Sequence, residues 1–428
     1  MLLSGRSRRF IDVHKDTQFS DAWIILAVLL IILGVVLDNV FLMGSAALLL
    51  VAAGIAWTWA RFSLHALTYD RHFSEHRAFI GEKVTLTLEV SNAKPLPLPW
   101  LTVRDIFPAE LPVAGADLEI NRSTNLADYS TFWMLGPYQR IKREYEITCN
   151  TRGFHPFGPA KAITGDGFGF FNRGAVVAGE EDLIVYPRLY SVGELRLPTH
   201  NPFGEVRVEE SLFEDPLRTA GIREWRSSDG MRRVHWKASA RQQELVSRVY
   251  EPSEDHVIHL FLNIATLERH WHGYIPELQE RTISVAGSLA MLAMEQRRPV
   301  GLSANGALPG SDQPIQLMPG RSQQQLVRIL ELLAAVTQFA TKPIEELVIS
   351  DVARLPWGAT VVVVTAIAHD DLLASLHELS EGGRRVVLFT LAAKPPDRFT
   401  PRITTYHLPH LVDDVIAPVE IASGNADG

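Results

Sequence analysis

Two apolar runs separated by two polar residues constrain this chain more than any other feature in it. Residues 22–37 (AWIILAVLLIILGVVL) carry no charge over 16 positions, and residues 40–60 (VFLMGSAALLLVAAGIAWTWA) carry none over 21. A helix rises about 1.5 Å per residue and a hydrocarbon core is about 30 Å thick, so the second run is long enough to cross it. The first is slightly short and can borrow Phe19 and the flanking turn. Asp38-Asn39 suits a tight turn at headgroup level, and Trp57 and Trp59 lie near the opposite boundary, where indoles are at home. Two alternatives are weaker. A cleaved signal peptide does not suit some twenty mostly polar preceding residues, the lack of a small-x-small site, or a second apolar run that follows at once. A buried hairpin in a water-soluble protein seldom has two uninterrupted runs two residues apart.

Charge sets the expected orientation. Arg6, Arg8, Arg9 and Lys15 precede the first run, Arg61 and Arg71 follow the second, and the connecting turn has no Lys or Arg. The positive-inside rule places both ends in the cytoplasm, and with them more than two-thirds of the chain. This predicts a multi-pass membrane protein, in contact with the lipid bilayer. A formal charge of −8 tilts against a nucleic-acid partner, which wants a concentrated basic surface. Cys149 is the only cysteine, so no intrachain disulfide can form, which fits a reducing compartment.

Beyond the apolar runs the signals are those of strands and turns. Val84, Leu86, Leu88 and Val90 alternate with polar residues, as do Ile141, Tyr145 and Ile147, where Arg143 is an exception on the apolar face. Leu101 and Val103 begin another strand after the proline-rich SNAKPLPLPW, and Leu183–Tyr186 is a short one. No helical period interrupts them, which predicts an antiparallel β-sandwich. The glycines of GDGFGF lack both the lysine and the strand-loop-helix context of a nucleotide loop. Phe168, Phe170 and Phe171 are read as filling the core edge, and Asp166 has no carboxylate neighbours to make it a metal ligand.

A basic block follows. Arg223, Arg226, Arg232, Arg233, Lys237 and Arg241 fall within 19 residues, interleaved with Trp225, His235 and Trp236. Taken alone it is compatible with a phosphate or nucleic-acid surface, an acidic-headgroup site, a solvated face, or guanidinium forks that brace a domain junction. The remainder has α/β character. Strands are expected at Val257–Ile264, Val300–Leu302, Thr360–Thr365 and Arg385–Phe389, and helices over 277–297, 321–339 and 370–380. Ser322, with Gln325 three residues on, is read as a helix cap. The alternation predicts a mostly parallel sheet covered on both faces.

These residues carry a resemblance. The chain resembles the DUF58 family of bacterial membrane-anchored proteins, whose C-terminal half is similar to von Willebrand factor type A domains. The match lies in the paired apolar runs, in GEKVTLTLEVSN, RGFHPFG and DGFGFFNR, and above all in REWRSSDGMRRVHWKASAR. That family's block usually reads R-x-Y-x-x-G-D-x-x-R-x-I-x-W-x-x-S-A-R. Arg223, Asp229, Arg232, Trp236, Ser239, Ala240 and Arg241 correspond, while Trp225 stands for the tyrosine and Ser228 for the glycine. The resemblance implies an accessory or scaffold protein, often encoded beside MoxR-type AAA+ ATPases, with no established catalytic activity and no cofactor.

An A-type metal site begins Asp-x-Ser-x-Ser after the first strand, three hard oxygen ligands for a divalent cation. Here Asn263, Ala265 and Leu267 stand at those positions, with Thr266 shifted by one, so a degenerate site without a structural metal is expected. His270 and His272 beside Glu268 are read as an incidental loop pair, and Ser239 near Lys237 lacks the partners of a hydrolase. The organisation expected is a segment 1–21, a transmembrane hairpin 22–61, a sandwich 62–188, a linker and basic block 189–255, an A-like α/β domain 256–420 and a tail 421–428. The function expected is that of a non-catalytic adaptor, an AAA+ ATPase being one of its candidate protein partners. Arg223, Trp225, Asp229, Arg232, Trp236 and Arg241 are its brace or partner surface, and Asn263, Thr266 and Thr365 are offered at the sheet edge. The competing expectation is an enzyme or ligand-binding protein that holds an anionic, envelope-related ligand through the arginines.

Overall fold

A computed structural model describes residues 22–167, 169, 171–198, 203, 214–226, 234–252, 257–267, 273–392, 395 and 402–412. The chain forms two compact units, Met1–Tyr186 and Pro187–Gly428.

The described part of the first unit opens with two helices, α1 (Ala22–Val36) and α2 (Val40–Ser63). Asp38 at φ 45° turns the chain, and the Asn39 Oδ1 then accepts the Phe41 and Leu42 N–H groups at 3.0 and 3.4 Å, capping α2. The helices pack closely at Gly34, where an added Cβ would lie 2.8 Å from the Met43 Cγ. Of the two, α2 is long and apolar enough to cross a membrane, and only 17% of its most apolar stretch is buried. Among the described residues α1 runs for 15 residues, about 22 Å, and the turn at Leu37–Asn39 ends it. Of the two spanning helices expected, one of sufficient length lies among the described residues.

Twelve strands follow: β1 (Leu67–Phe73), β2 (Arg77–Phe79), β3 (Lys83–Asn92), β4 (Leu98–Pro108), β5 (Val113–Ala114), β6 (Leu118–Asn121), β7 (Leu126–Leu135), β8 (Arg140–Thr148), β9 (Gly153–Phe157), β10 (Ala160–Gly165), β11 (Asn172–Ala178) and β12 (Glu181–Tyr186). They form sheets β1-β3-β8-β5, β11-β10-β4-β7-β6 and β2-β12-β9. The alternating residues of β3 turn Leu86, Leu88 and Val90 into a core shared with Leu101, Val103 and Phe107 of β4 and Trp133 of β7. One pairing departs from the all-antiparallel expectation, since β12 runs parallel to β2. The intervening chain supplies the long connection that a parallel pair requires. Arg143 keeps its place on the apolar face of β8 by stacking 3.8 Å above the Trp133 ring and donating to the Phe132 carbonyl.

A charged pair is sealed inside this unit. Arg71 and Asp105 are 0% and 1% exposed, with the Arg71 Nη1 3.5 Å from the Asp105 Oδ1. The Tyr69 hydroxyl donates to the Asp105 Oδ2 at 2.8 Å, the Ile106 N–H donates to the Oδ1, and Arg71 also donates to the Gly179 carbonyl. Burial pushes the Asp105 carboxyl up, and Arg71 opposes the shift.

The second unit contains β13 (Glu214–Glu224), α3 (Trp236–Gln242), β14 (Val246–Pro252), β15 (Ile258–Leu262), α4 (Pro276–Glu295), β16 (Val300–Ala307), β17 (Pro314–Gly320), α5 (Gln323–Ala335), α6 (Ile344–Val352), β18 (Thr360–Thr365), α7 (Asp370–Glu381), β19 (Arg385–Thr390) and β20 (Thr404–His407). Its main sheet runs β17-β16-β15-β18-β19-β20, with every pair parallel except β16 with β17. Every residue of β15 and β18 is buried, as continuous apolar strands require when both faces are covered. Ile283, Leu289 and Ile329 of α4 and α5 cover Leu260, Val362 and Phe389 on one face. Leu347, Val348 and Leu376 of α6 and α7 cover Phe261, Val363 and Leu388 on the other.

Two expectations are corrected here. Residues 189–255 are more than a linker, because Leu195, Leu197 and Phe203 join the α/β core and β13 pairs with β14. The Ser322 side chain makes no cap hydrogen bond, and Gln325 instead donates to the Val300 and Met318 carbonyls at 3.0 and 2.8 Å, where β16 and β17 shift register.

His259 on β15 lies against Gly301, where a Cβ would come within 2.5 Å of the ring. The Ser303 hydroxyl donates to the Asp351 Oδ2 at 2.7 Å, so the His259 Nε2, 2.8 Å from that hydroxyl, must be the donor between them. The Nδ1 is buried without a partner, and burial pulls the imidazole down to about 4. An unfolded histidine titrates near 6.5, so below that pH the unfolded state binds the extra proton and stability falls as pH drops through the window toward 4. Between pH 7.5 and pH 5 this unit is expected to lose about 2 kcal/mol through His259 alone. Denaturant unfolding of the full chain at both pH values, compared with His259→Gln, checks it. The variant is expected to show the shallower pH dependence, and equal slopes would refute the assignment.

Candidate functional site

The carboxyl ends of β15, β16 and β18 bring a set of amides and hydroxyls together. The Asn263 Nδ2 donates to the Thr365 Oγ1 at 3.0 Å, while its Oδ1 accepts the Ala265 N–H at 3.1 Å and the Asn305 Nδ2 at 2.9 Å. The Asn305 Oδ1 accepts the Ile264 N–H, and its carbonyl accepts the Thr341 hydroxyl. The Gln279 Nε2 bridges the Ile264 and Gln338 carbonyls, both at 2.9 Å. Thr365 donates to the Ile367 carbonyl, and the Thr266 Oγ1 accepts the Ile275 N–H, closing the loop that follows β15.

Asn263, Thr266 and Thr365 were read as contact residues, but they are 2%, 3% and 0% exposed. Their polar atoms are engaged inside the network, so their side chains are not on the surface of this end. Both acceptor directions of the Asn263 Oδ1 are occupied by N–H donors. Ala265 and Leu267, the other positions of the degenerate motif, bring only carbon side chains. Among the described residues no group of three His, Cys, Asp or Glu side chains is placed to hold a metal ion. His270, His272 and Glu268 lie outside the described residues.

Two aromatics occupy the rim instead. Phe339 is 63% exposed and meets the Tyr274 ring edge to face at 5.8 Å between centroids. Helix α5 ends at Ala335, earlier than the expected 339, because Val336 leaves in an extended conformation. Residues 336–342 then cross the end of β16, held by the Thr337 and Thr341 N–H groups on the Ala307 and Asn305 carbonyls. Beyond β18, His369 and Glu345 approach at 3.1 Å.

The described part of the basic block is a two-stranded ribbon with a short helix. Arg223 lies on β13, Trp225 just beyond it, and Trp236 and Arg241 on α3. The His235 Nδ1 caps α3 by accepting the Ala238 N–H, and the buried Ser239 hydroxyl accepts the Val246 N–H at 3.0 Å. Ser239 is thus a structural tie. Trp236 is 59% exposed. Asp229, Arg232 and Arg233 lie outside the described residues, as do Phe168 and Phe170. Asp166 closes its turn by accepting the Phe171 N–H at 2.7 Å.

No family model matches the chain. "Uncharacterized protein YeaD" of Bacillus subtilis (strain 168) is 23% identical over 341 residues, which are 78% of this chain and 78% of that protein. Among solved structures, a cohesin module from Clostridium perfringens is 9% identical, covering 28% of this chain and 96% of that one, with a TM-score of 0.21. The CARDB domain of a Pyrococcus furiosus protein is 14% identical, covering 28% and 91%, with a TM-score of 0.18. Likenesses of this size carry nothing about what the chain binds.

Proposed function

We propose that this chain is a non-catalytic adaptor of the DUF58 kind, anchored in a bacterial inner membrane by the α1–α2 hairpin with its large region in the cytoplasm. In this reading the second unit acts as a von Willebrand factor A-like domain that receives a protein partner, with a MoxR-type AAA+ ATPase as the first candidate. Support for the anchor comes from the outward apolar surface of both helices, including Leu29, Ile32, Val51 and Ile55, and from cationic residues flanking a turn that has none. Support for a protein partner, and the observation that carries the adaptor reading, is the aromatic rim at a sheet end whose polar groups satisfy one another. Aromatic side chains, Phe and Tyr among them, are enriched at protein interfaces relative to the rest of the surface.

A crosslinking pull-down from native membranes in mild detergent tests it, comparing wild type with Phe339→Arg. Phe339 is exposed, so the substitution is expected to change stability by no more than about 0.5 kcal/mol. Recovery of the partner, an AAA+ ATPase among the captured proteins, is expected to fall about ten-fold. Undiminished capture by the folded variant sinks the reading of this rim.

A further inference from the structure

A groove of about 660 Å³ lies between α2 and the β3–β4 connection, within the first unit. One wall is a single face of α2, with Val51, Gly54, Ile55, Thr58, Trp59 and Phe62 at helical spacing, and the other is His65 with Lys94–Leu96. The volume falls inside the range of about 300–1,000 Å³ common to small-molecule sites. Lys94 is its distinctive component. It is 6% exposed, its Nζ donates to the Asn92 Oδ1 at 2.8 Å, and among the described residues it forms no ion pair. Its backbone is fixed as well. The Lys94 carbonyl accepts the Tyr138 N–H, and the Asn92 amide holds the Leu96 and Gly136 carbonyls at 3.0 and 2.8 Å. The Trp59 Nε1 is also buried in this region without an acceptor, whereas the Thr58 hydroxyl is satisfied by the Gly54 carbonyl.

We infer that this groove binds one anionic phospholipid, its phosphate at Lys94 and the Trp59 N–H, and an acyl chain along α2 toward Val51. The inference rests on the membrane-anchored reading above. It commits to lipid because one wall is the apolar helix itself. From Phe62 back to Val51 that face extends about 16 Å, a path for an alkyl chain running into the hydrocarbon. Charge selects the headgroup. A desolvated ammonium lacking a counter-charge is held below its ordinary range by burial, and a phosphodiester would supply both the charge and the missing acceptor. Zwitterionic lipid brings its own cation to the same place and gains less.

The test uses the full chain reconstituted in phosphatidylcholine vesicles containing either brominated phosphatidylglycerol or brominated phosphatidylcholine. Quenching of Trp59 is read as wild type minus Trp59→Phe. The phosphatidylglycerol association constant is expected to exceed that of phosphatidylcholine about ten-fold, and Lys94→Gln to bring the ratio near one. Gly54→Phe serves as the second variant. An added Cβ there meets nothing within 4 Å, and loss of a helix glycine favours folding. Its ring is expected to fill the groove and abolish quenching by both lipids. No preference in wild type, or a preference that survives both substitutions, overturns the lipid site. Flotation is scored in parallel. Protein that fails to float with phosphatidylcholine vesicles refutes the anchor as well, whereas floating protein without headgroup preference refutes the lipid site alone.

Discussion

Replacing Arg71 with methionine is expected to destabilise the first unit by about 3–5 kcal/mol. Asp105 is 99% buried, and Arg71 is the cation that faces it. Without Arg71 the carboxylate keeps the Tyr69 hydroxyl and the Ile106 N–H, two neutral donors that do not replace a charge. The Gly179 carbonyl loses its guanidinium donor in the same step. The variant has a distinguishing pH signature. With its carboxyl already pushed up by burial, Asp105 in the variant takes a proton in the folded state that an unfolded aspartate lacks. The folded state then binds more protons than the unfolded one, so the penalty grows as pH rises from 5 to 8. Denaturant titration of wild type, Arg71→Met, Asp105→Leu and the double variant measures this. The double variant is expected to recover most of the loss, since apolar replacement of a whole buried pair is often near neutral. A single-variant cost below about 1 kcal/mol would show that the pair contributes little.

Asn263→Leu is the second large effect, expected to cost the α/β unit about 2–4 kcal/mol. Leucine matches asparagine closely in size but can accept nothing. The Ala265 N–H and one Asn305 N–H lose their acceptor in a site closed to water, and Thr365 loses a donor while retaining its contacts with Ile367. Asn305→Leu removes the same junction from the other side, so the two losses are expected to be less than additive by at least about 0.5 kcal/mol. Full additivity would mean that the side chains act independently and that no shared network exists. The comparison bears on function too, because a rigid polar layer at this end is what holds residues 336–342 and presents Phe339.

Periodicity made the local elements readable. The alternation of Val84, Leu86, Leu88 and Val90 forces one face of β3 inward whatever it packs against. The continuous run of β18 suits only a strand covered on both faces. Elements whose residues are polar or irregular were not readable in this way. β16 continues to Ala307 through Ser303 and Asn305, whose side chains are buried because they meet Asp351 and Asn263 from distant segments, and through Gly306, where an added Cβ would run into Val336. β13 pairs with β14 across two register shifts, which blur any period-2 signal. Of the residues read as a sheet-edge contact, position along the chain was clear and orientation was not.

The amino-acid sequence alone therefore determined the apolar helix α2, the strand-rich character of the first unit and the α/β character of the second. Each follows from side-chain spacing within ten or twenty residues, which dictates what a segment must hide from water. Tertiary structure decided which strands meet, that β12 lies parallel to β2, and that Leu195 and Phe203 enter a core some sixty residues downstream. It also turned Asn263 and Thr365 inward, leaving Phe339 and Tyr274 at the rim. Those outcomes depend on which polar groups find partners across the fold, and hydrogen bonding between distant segments leaves no period in the chain to read.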